Sequence, residues 1–279
     1  MRYILVSLVL AYIAGCAADK VAEPALKLYV FDCGRLLLDD VQAFGLTNEE
    51  TEVRELSVPC YVVEHPAGRL LWDGGLPSAV AETPGWHRGG AFFSQRLDRP
   101  FAGQLAELGW GMDSFDFMAY SHMHWDHVGT ANEVENATLL IQRAEHEAAF
   151  APQITVSGGF ERSLYDRLAD AETILLQGEH DVFGDGRVRI IAAPGHTPGH
   201  QVLFIDLAEH GPVVLGGDLY HFRFNRENRR VPRFNFDADQ TLESMTKIDS
   251  LLAATRAELW IEHELAWFEQ LRLAPAFYR

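Results

Sequence analysis

The sequence predicts a layered α/β protein with β-sheets inside and helices outside. Three observations support this prediction. Apolar strand-like runs outnumber helical patterns, several of these runs end on a residue type that binds metal ions, and no repeat, low-complexity tract or Ser/Gly linker divides residues 26–279. Many strands combined with few helices bury their apolar faces by stacking in layers. We therefore expect one compact domain over residues 26–279.

The composition is ordinary for a globular protein, with 48% hydrophobic and 23% charged residues among 279, which excludes a disordered chain, a coiled coil and a polytopic membrane protein. Acidic residues number 40 against 23 basic residues, so the formal net charge is −17. Because nucleic-acid-binding proteins neutralise phosphates with a basic face, we expect no nucleic-acid partner. A polyanionic substrate is also disfavoured unless a bound cation reverses the local charge.

The N-terminal segment, residues 1–15, resembles the lipoprotein-type signal peptide of bacteria. Its apolar run, residues 3–13, is too short to span a bilayer comfortably, and small residues lead from it into Cys16. Cleavage before Cys16 and acylation of this cysteine would anchor the protein to a membrane surface, with residues 16–25 as a tether. Ala17 favours the outer membrane by the same resemblance, so we expect an exported, periplasmic-side lipoprotein. A plain secretory signal and an uncleaved anchor are the alternatives.

Strand-like runs occur along the whole of the remaining chain. They cover residues 26–31, 58–63, 69–72, 115–120, 138–141, 173–176, 187–192, 201–205, 213–215 and 258–261. Helical patterns cover residues 100–108, 128–133, 144–150 and 239–254. Cys33 and Cys60 both lie in apolar strand-like segments. Export would permit a disulfide between them, but buried free thiols fit the same contexts, so the sequence leaves this pair open.

The segment SHMHWDH, residues 121–127, has the highest density of reactive side chains. Three histidines and an aspartate are costly to bury unpaired, so packing does not explain them. If a strand ends here, its alternation points His122 and His124 the same way, and the following turn can present Asp126 and His127 to a neighbouring position. The segment can therefore supply two ligands to each of two metal ions. Nitrogen and carboxylate ligands without thiolates suit zinc first, with iron, manganese or cobalt as substitutes.

Three later strand-like runs also lead into residue types that bind metals. His196 lies in the turn PGHTPGH, Asp218 follows a Gly-Gly pair, and His263 ends the run ELWIEH. Glycines beside an acidic residue permit close approach of the backbone to an ion. This pattern is typical of an active site at the edge of a sheet.

The ligand order HxHxDH, then His, Asp and His, resembles the metallo-β-lactamase superfamily. The resemblance extends from about residue 28 to the end of the chain. Asp73 in LLWDGG matches an early aspartate that supports the metal loop in that family. Within the superfamily, LYVFDCG, QRAEHEAAF and the final APAFY look like N-acyl homoserine lactonases. The resemblance implies an αββα four-layer sandwich with the active site at the edge of the β-sandwich.

Carried onto this sequence, the resemblance implies two Zn²⁺ ions per chain. The first ion would be held by His122, His124 and His196 and the second by Asp126, His127 and His263, with Asp218 bridging the two. A hydroxide shared by the ions would attack the lactone carbonyl, and Asp126 would pass the proton to the leaving oxygen.

The family usually has a tyrosine three positions after the bridging aspartate, where it donates a hydrogen bond to the substrate. This sequence has His221 at that position and a tyrosine, Tyr220, one position earlier. Both residues are therefore candidates for the donor.

The expected function is opening of the lactone ring of N-acyl homoserine lactones, which would degrade bacterial signalling molecules. A glyoxalase II-like thioesterase shares the ligands but needs a basic patch for glutathione, and an aryl ester or organophosphate hydrolase is a further alternative. A binding protein without turnover is disfavoured by the complete ligand set. The resemblance also implies a homodimer.

Aromatic residues in the glycine-rich stretch of residues 83–94 allow two interpretations. Trp86, Phe92 and Phe93 either cover an acyl chain beside the metals or pack onto the domain or a partner subunit. We interpret His200 as a partner that supports its turn by hydrogen bonding.

Overall fold

A computed structural model describes residues 26–153 and 158–279. Two β-sheets pack face to face, and helices cover their outer faces. The predicted signal peptide, the acylation site at Cys16 and the tether lie outside the described residues. Among the residues that the structure describes, no helix is long and apolar enough to cross a membrane.

The first sheet contains the first eight strands of the chain. They are β1 (Lys27–Leu38), β2 (Glu55–His65), β3 (Gly68–Trp72), β4 (His87–Arg88), β5 (Phe93–Arg96), β6 (Phe117–Ala119), β7 (Thr138–Gln142) and β8 (Thr173–Leu176). Their order across the sheet is β4-β5-β1-β2-β3-β6-β7-β8. The pairs from β4 to β3 are antiparallel, and β3, β6, β7 and β8 run parallel.

The second sheet contains the last five strands. They are β9 (Glu179–Asp181), β10 (Val188–Ala192), β11 (Gln201–Leu207), β12 (Gly211–Leu215) and β13 (Glu258–Trp260). Their order is β13-β12-β11-β10-β9, and only the pair β12 and β13 is parallel.

Strand alternation determines which side chains fill the space between the sheets. In β1, Leu28 and Val30 belong to the same buried cluster as Ile190 and Leu203 of the second sheet. Tyr29, between them in sequence, belongs instead to the cluster on the outer face of the first sheet. Because successive side chains of a strand point to opposite faces, one strand contributes to two cores.

Helices form the outer layers. The α-helices are α1 (Phe101–Ala106), α2 (Arg143–Ala149), α3 (Arg223–Glu227), α4 (Ala238–Thr255) and α5 (Leu265–Phe268). Helices α1 and α2 contribute to the outer core of the first sheet, and α4 packs Met245 and Ile248 against the second sheet. The side chain of Asp237 begins α4 by accepting a hydrogen bond from the Gln240 N–H at 2.9 Å. The predicted αββα sandwich is confirmed.

The predicted strands all occur, and the helices predicted over residues 100–108, 144–150 and 239–254 correspond to α1, α2 and α4. The helix predicted over residues 128–133 is wrong, because only a single 3₁₀ turn, Ala131–Glu133, forms there. The backbone of Gly129 lies so close to the turn after β3 that an added Cβ would be 2.3 Å from its atoms. This contact shapes the segment more strongly than its helical pattern does.

Cys33 and Cys60 form a disulfide that joins β1 to β2. A register shift in β1 between Asp32 and Arg35 brings Cys33 beside its partner, with 5.7 Å between the two Cα atoms. The bond packs on Gly75, where φ is +62° and a Cβ would lie 2.3 Å from the Cys33 Cβ. The disulfide therefore supports the turn that follows β3.

Candidate metal centre

The predicted ligands converge at one edge of the β-sandwich because several strands end there. Strands β3 and β6 are parallel neighbours in the first sheet, and β12 and β13 are parallel neighbours in the second. Parallel neighbours place their carboxyl ends at the same edge. Asp73 follows β3, the segment 120–127 follows β6, Asp218 follows β12 and His263 follows β13. His196 reaches the same edge from the loop between β10 and β11.

The first ligand group consists of His122, His124 and His196, all buried. The His196 Nε2 atom lies 3.1 Å from His122 Nε2 and 3.2 Å from His124 Nδ1. It also lies 3.1 Å from Asp218 Oδ2. Three imidazole nitrogens and one carboxylate oxygen therefore point at a common centre.

The second ligand group consists of Asp126, His127 and His263. The two Asp126 oxygens each lie 3.8 Å from the Nε2 atom of one of the two histidines. The second oxygen of Asp218, Oδ1, lies 3.4 Å from His127 Nε2 and 2.9 Å from His263 Nε2. Asp218 thus offers one oxygen to each ligand group, which is the geometry of a bridging carboxylate.

The donor atoms fit two dications. Buried polar atoms normally have hydrogen-bond partners, yet His127 Nε2 has none in the part of the chain that the structure describes. The His122 and His196 Nε2 atoms face each other at 3.1 Å, and in the neutral tautomers that leave both atoms unprotonated their lone pairs could bind one cation. A set of nitrogen and carboxylate oxygen atoms suits zinc, iron, manganese or cobalt.

Polar groups behind the ligands orient their rings. The His263 Nδ1 atom lies 2.7 Å from the Ser57 carbonyl oxygen, and the His196 Nδ1 atom lies 2.9 Å from Asn235 Oδ1. Such partners fix the tautomer of a metal-binding histidine. Neither Ser57 nor Asn235 was predicted, because both are far in sequence from the histidines and belong to no motif.

Asp73 supports the metal loop, residues 121–127, as the resemblance implied. Its Oδ1 atom accepts a hydrogen bond from the Ser121 N–H at 2.6 Å, and its Oδ2 atom lies 3.3 Å from His127 Nδ1. Asp73 has a positive φ of 57°, which is unfavourable for a residue with a Cβ. The hydrogen bonds to the metal loop hold this conformation. Glu262, which the sequence analysis did not select, is buried on the same side of His127, 3.6 Å from Nδ1.

Burial and neighbouring charges set the protonation of the ligands. Burial, reinforced by the surrounding histidines, holds the pKa of His122 and of His124 well below 6.5. Neutral imidazole is the form that binds a metal. Burial also opposes protonation of His127, but the carboxylates of Asp218 and other neighbours outweigh it and raise its pKa. A metal ion would replace that proton.

His200 supports its turn, as expected. Its Nδ1 atom donates to the Ala193 carbonyl oxygen at 3.1 Å, and its Nε2 atom accepts from the Asp218 N–H at 3.0 Å. Burial lowers the pKa of His200 to about 3, so the ring stays neutral and can accept this bond. His200 therefore orients the backbone of Asp218.

The two candidate donors lie in different places. The His221 Nε2 atom lies 3.0 Å from Asp218 Oδ2, inside the cluster. The Tyr220 hydroxyl instead faces α4, at 3.4 Å from both the Met245 carbonyl oxygen and Asp249 Oδ1. The structure brings His221 to the ligands and does not bring Tyr220 there.

A cavity of about 490 Å³ opens onto both ligand groups. Asp126, Asp218, His221 and His263 form its polar end. We call its apolar side chains the apolar wall: Leu36, Leu38, Ala43, Phe44, Leu56, Phe92, Phe93, Trp125 and Phe234. Arg233 is the one arginine or lysine among the described residues that line the cavity. Trp86 is not part of the lining; its ring lies under the Arg96 guanidinium.

The fold and this site define a class of protein. Residues 53–257 match the family model of the metallo-beta-lactamase superfamily, and the chain belongs to that superfamily. It is similar to the N-acyl homoserine lactonase AttM of Rhizobium johnstonii, with 32% identity over 91% of this chain and 98% of the relative. The AttM lactonase of Agrobacterium fabrum is 31% identical over the same shares of the two chains.

The chain is also similar in structure to a solved N-acyl homoserine lactone hydrolase. An N-acyl homoserine lactone hydrolase with the product N-hexanoyl-L-homoserine bound at its catalytic metal centre superposes with a TM-score of 0.76. The match covers 91% of this chain and 99% of the other at 25% identity.

Proposed function

We propose that this protein is a dizinc N-acyl homoserine lactonase. The observation that carries the proposal is the division of the cavity, in which a polar end at the ligand groups continues into the apolar wall. An acyl homoserine lactone has the matching division, with a polar lactone and amide at one end and an apolar chain at the other. The lactonase relatives support the same substrate class.

Two bound zinc ions would supply Lewis acidity and a water whose pKa is lowered towards neutrality. The protein's own residues orient the substrate and handle protons. Asp126 belongs to the second ligand group, is only 8% exposed and lines the cavity, so its carboxylate can carry a proton to the oxygen that leaves when the ring opens. His221 lines the same end, where an N–H can donate to an oxygen of the substrate.

The charges of the cavity support a lactone over a glutathione thioester. Arg233 is the only arginine or lysine among the described lining residues, so the cavity offers little to the two carboxylates of glutathione. A neutral lactone needs no such counter-charges. Aryl esters and phosphotriesters remain useful comparison substrates because the same metal chemistry can hydrolyse them.

We also place the protein outside the cytoplasm, attached to the outer membrane by an acyl group at Cys16. The apolar run followed by small residues and a cysteine supports this proposal. So does the disulfide between Cys33 and Cys60, because disulfides persist in oxidising compartments. We also propose that the protein forms a homodimer, as the resemblance implies. Sedimentation of the purified protein measures its mass in solution and tests this proposal.

The test is proton release from the zinc-loaded protein with N-decanoyl homoserine lactone as substrate. We expect rapid ring opening by the native protein, none by Asp218→Asn, and native rates for Asp206→Asn, which changes an exposed carboxylate. Absence of ring opening by a native protein that retains two metal ions would overturn the lactonase proposal. Thioesters and aryl phosphotriesters would then be tried.

A further inference from the structure

Glu145 of α2 is a buried carboxylate that the sequence analysis did not select. It is 1% exposed and lies on the face of the helix that packs against the sandwich edge. Its Oε1 atom accepts a hydrogen bond from the Met123 N–H at 2.8 Å, and its Oε2 atom accepts one from the Gly199 N–H at 2.9 Å. Hydrogen bonds to an ionised acceptor are roughly twice as strong as neutral ones.

The two amides belong to the two loops that carry the first ligand group. Met123 lies between His122 and His124, and Gly199 lies in the same turn as His196. One carboxylate therefore connects the loop after β6 to the loop between β10 and β11. Gly199 is packed against the helix so tightly that a Cβ would lie 2.3 Å from the Glu145 backbone nitrogen.

The second ligand group is held by other residues. The ring of His127 contacts Asp73, and the ring of His263 contacts the Ser57 carbonyl oxygen. Neither contact includes Glu145. The loop after β6 also carries Asp126 and His127, but Asp73 fixes the His127 ring independently of Glu145. Loss of the Glu145 carboxylate should therefore act more strongly on the first ligand group, whose two loops it connects, than on the second.

We propose that Glu145 is a positioning residue that sets the spacing of His122, His124 and His196 and so the affinity of the first metal ion. This inference rests on the proposed two-metal site. Outer partners of metal ligands typically change metal affinity by about 10- to 100-fold when they are removed. Glu145 acts on the backbone of two loops rather than on one ring, so its removal affects three ligands together.

The experiment measures metal retention rather than activity. The native protein and Glu145→Gln are loaded with zinc and titrated with a chelator while bound zinc per chain is measured. The glutamine keeps the size of the side chain, but its NH₂ faces one of the two N–H groups and breaks that hydrogen bond. Glu147→Gln is the matched control, since Glu147 is exposed on the same helix.

We expect two release steps from the native protein and from Glu147→Gln. In Glu145→Gln, one step should shift to an about 10- to 100-fold weaker affinity and the other should shift less. His196→Ala identifies which step belongs to the first ligand group. Gly199→Ala, which displaces the second loop from α2, should weaken the same step, and it serves as the test if Glu145→Gln does not fold.

Unchanged steps in Glu145→Gln would overturn the inference and leave the proposed function intact. Equal weakening of both steps together with a lower melting temperature would also overturn it, because that result indicates general destabilisation. A native protein that retains no metal would instead overturn the proposed function itself.

Discussion

The two ligand groups and the apolar wall line the same cavity but are held in different ways. The ligands are almost fully buried, and most of them have a second polar partner that fixes their orientation. The apolar wall includes Phe92, which is 40% exposed, and Phe93, whose ring stacks on Trp125 with 4.9 Å between centroids. We therefore expect the chemistry to depend on the polar network around the ligands and the choice of substrate to depend on the apolar wall. We expect mutations of the two regions to affect different kinetic constants.

We expect His196→Ala to lower activity far more than any single change in the apolar wall. The substitution removes a nitrogen that faces His122, His124 and Asp218 at 3.1–3.2 Å. We expect kcat to fall by about 1000-fold, which corresponds to about 4 kcal/mol of activation free energy. Lactone hydrolysis at saturating substrate measures this, with His180→Ala as the control, because His180 lies on the short edge strand β9 and belongs to neither ligand group. A kcat within tenfold of the native value would mean that the first ligand group does not take part in catalysis.

Removal of the metals should lower stability as well as abolish activity. An ion that binds only the folded state contributes about 2.7 kcal/mol when its concentration is 100-fold above its dissociation constant. For a chain of this size we expect the melting temperature to fall by about 5–10 °C after chelation. Differential scanning calorimetry with and without chelator measures the shift. The same melting temperature in both conditions would contradict a metal site built into the folded ligand groups.

His221→Phe should separate the two candidate donors. Phenylalanine preserves packing against Phe44 and Phe234, whose ring centroids lie 5.1 and 5.5 Å from that of His221, but it removes the N–H. We expect kcat to fall by about 30-fold, about 2 kcal/mol, as for loss of a hydrogen bond to a charged group. The comparison variant is Tyr220→Phe, which removes a hydroxyl directed at α4 and should cost about 1 kcal/mol of stability. If kcat instead falls about 30-fold in Tyr220→Phe and stays unchanged in His221→Phe, the donor is Tyr220.

The smallest effect is expected from Phe93→Ala in the apolar wall. Loss of its stacking on Trp125 should lower kcat/KM for a decanoyl substrate by about tenfold, through KM rather than kcat. A butanoyl substrate, which covers less of the wall, should be affected less. The control is Phe236→Ala, a change of an aromatic residue that is 53% exposed and does not line the cavity. Equal loss for both substrates would show that Phe93 acts on the ligand groups rather than on the acyl chain.

The elements that the sequence did not reveal are short or depend on distant contacts. Strands β4, β5 and β9 were not predicted and have two, four and three residues, and α3 and α5 are little more than one turn each. The helix expected at residues 128–133 fails because Gly129 packs against the turn after β3. Periodicity describes only local preference, so contacts of this kind override it.

The sequence by itself determined the layers and the chemistry of this protein. Strand periodicity fixes which side chains are buried, and a motif such as SHMHWDH places reactive groups within a few residues of each other. Tertiary structure alone decided the disulfide between Cys33 and Cys60, the orientation of Tyr220 away from the ligands, and the connection of two loops by Glu145. The physical reason is common to all three. Each depends on the distance and direction between atoms far apart in the chain, which only the packed backbone sets.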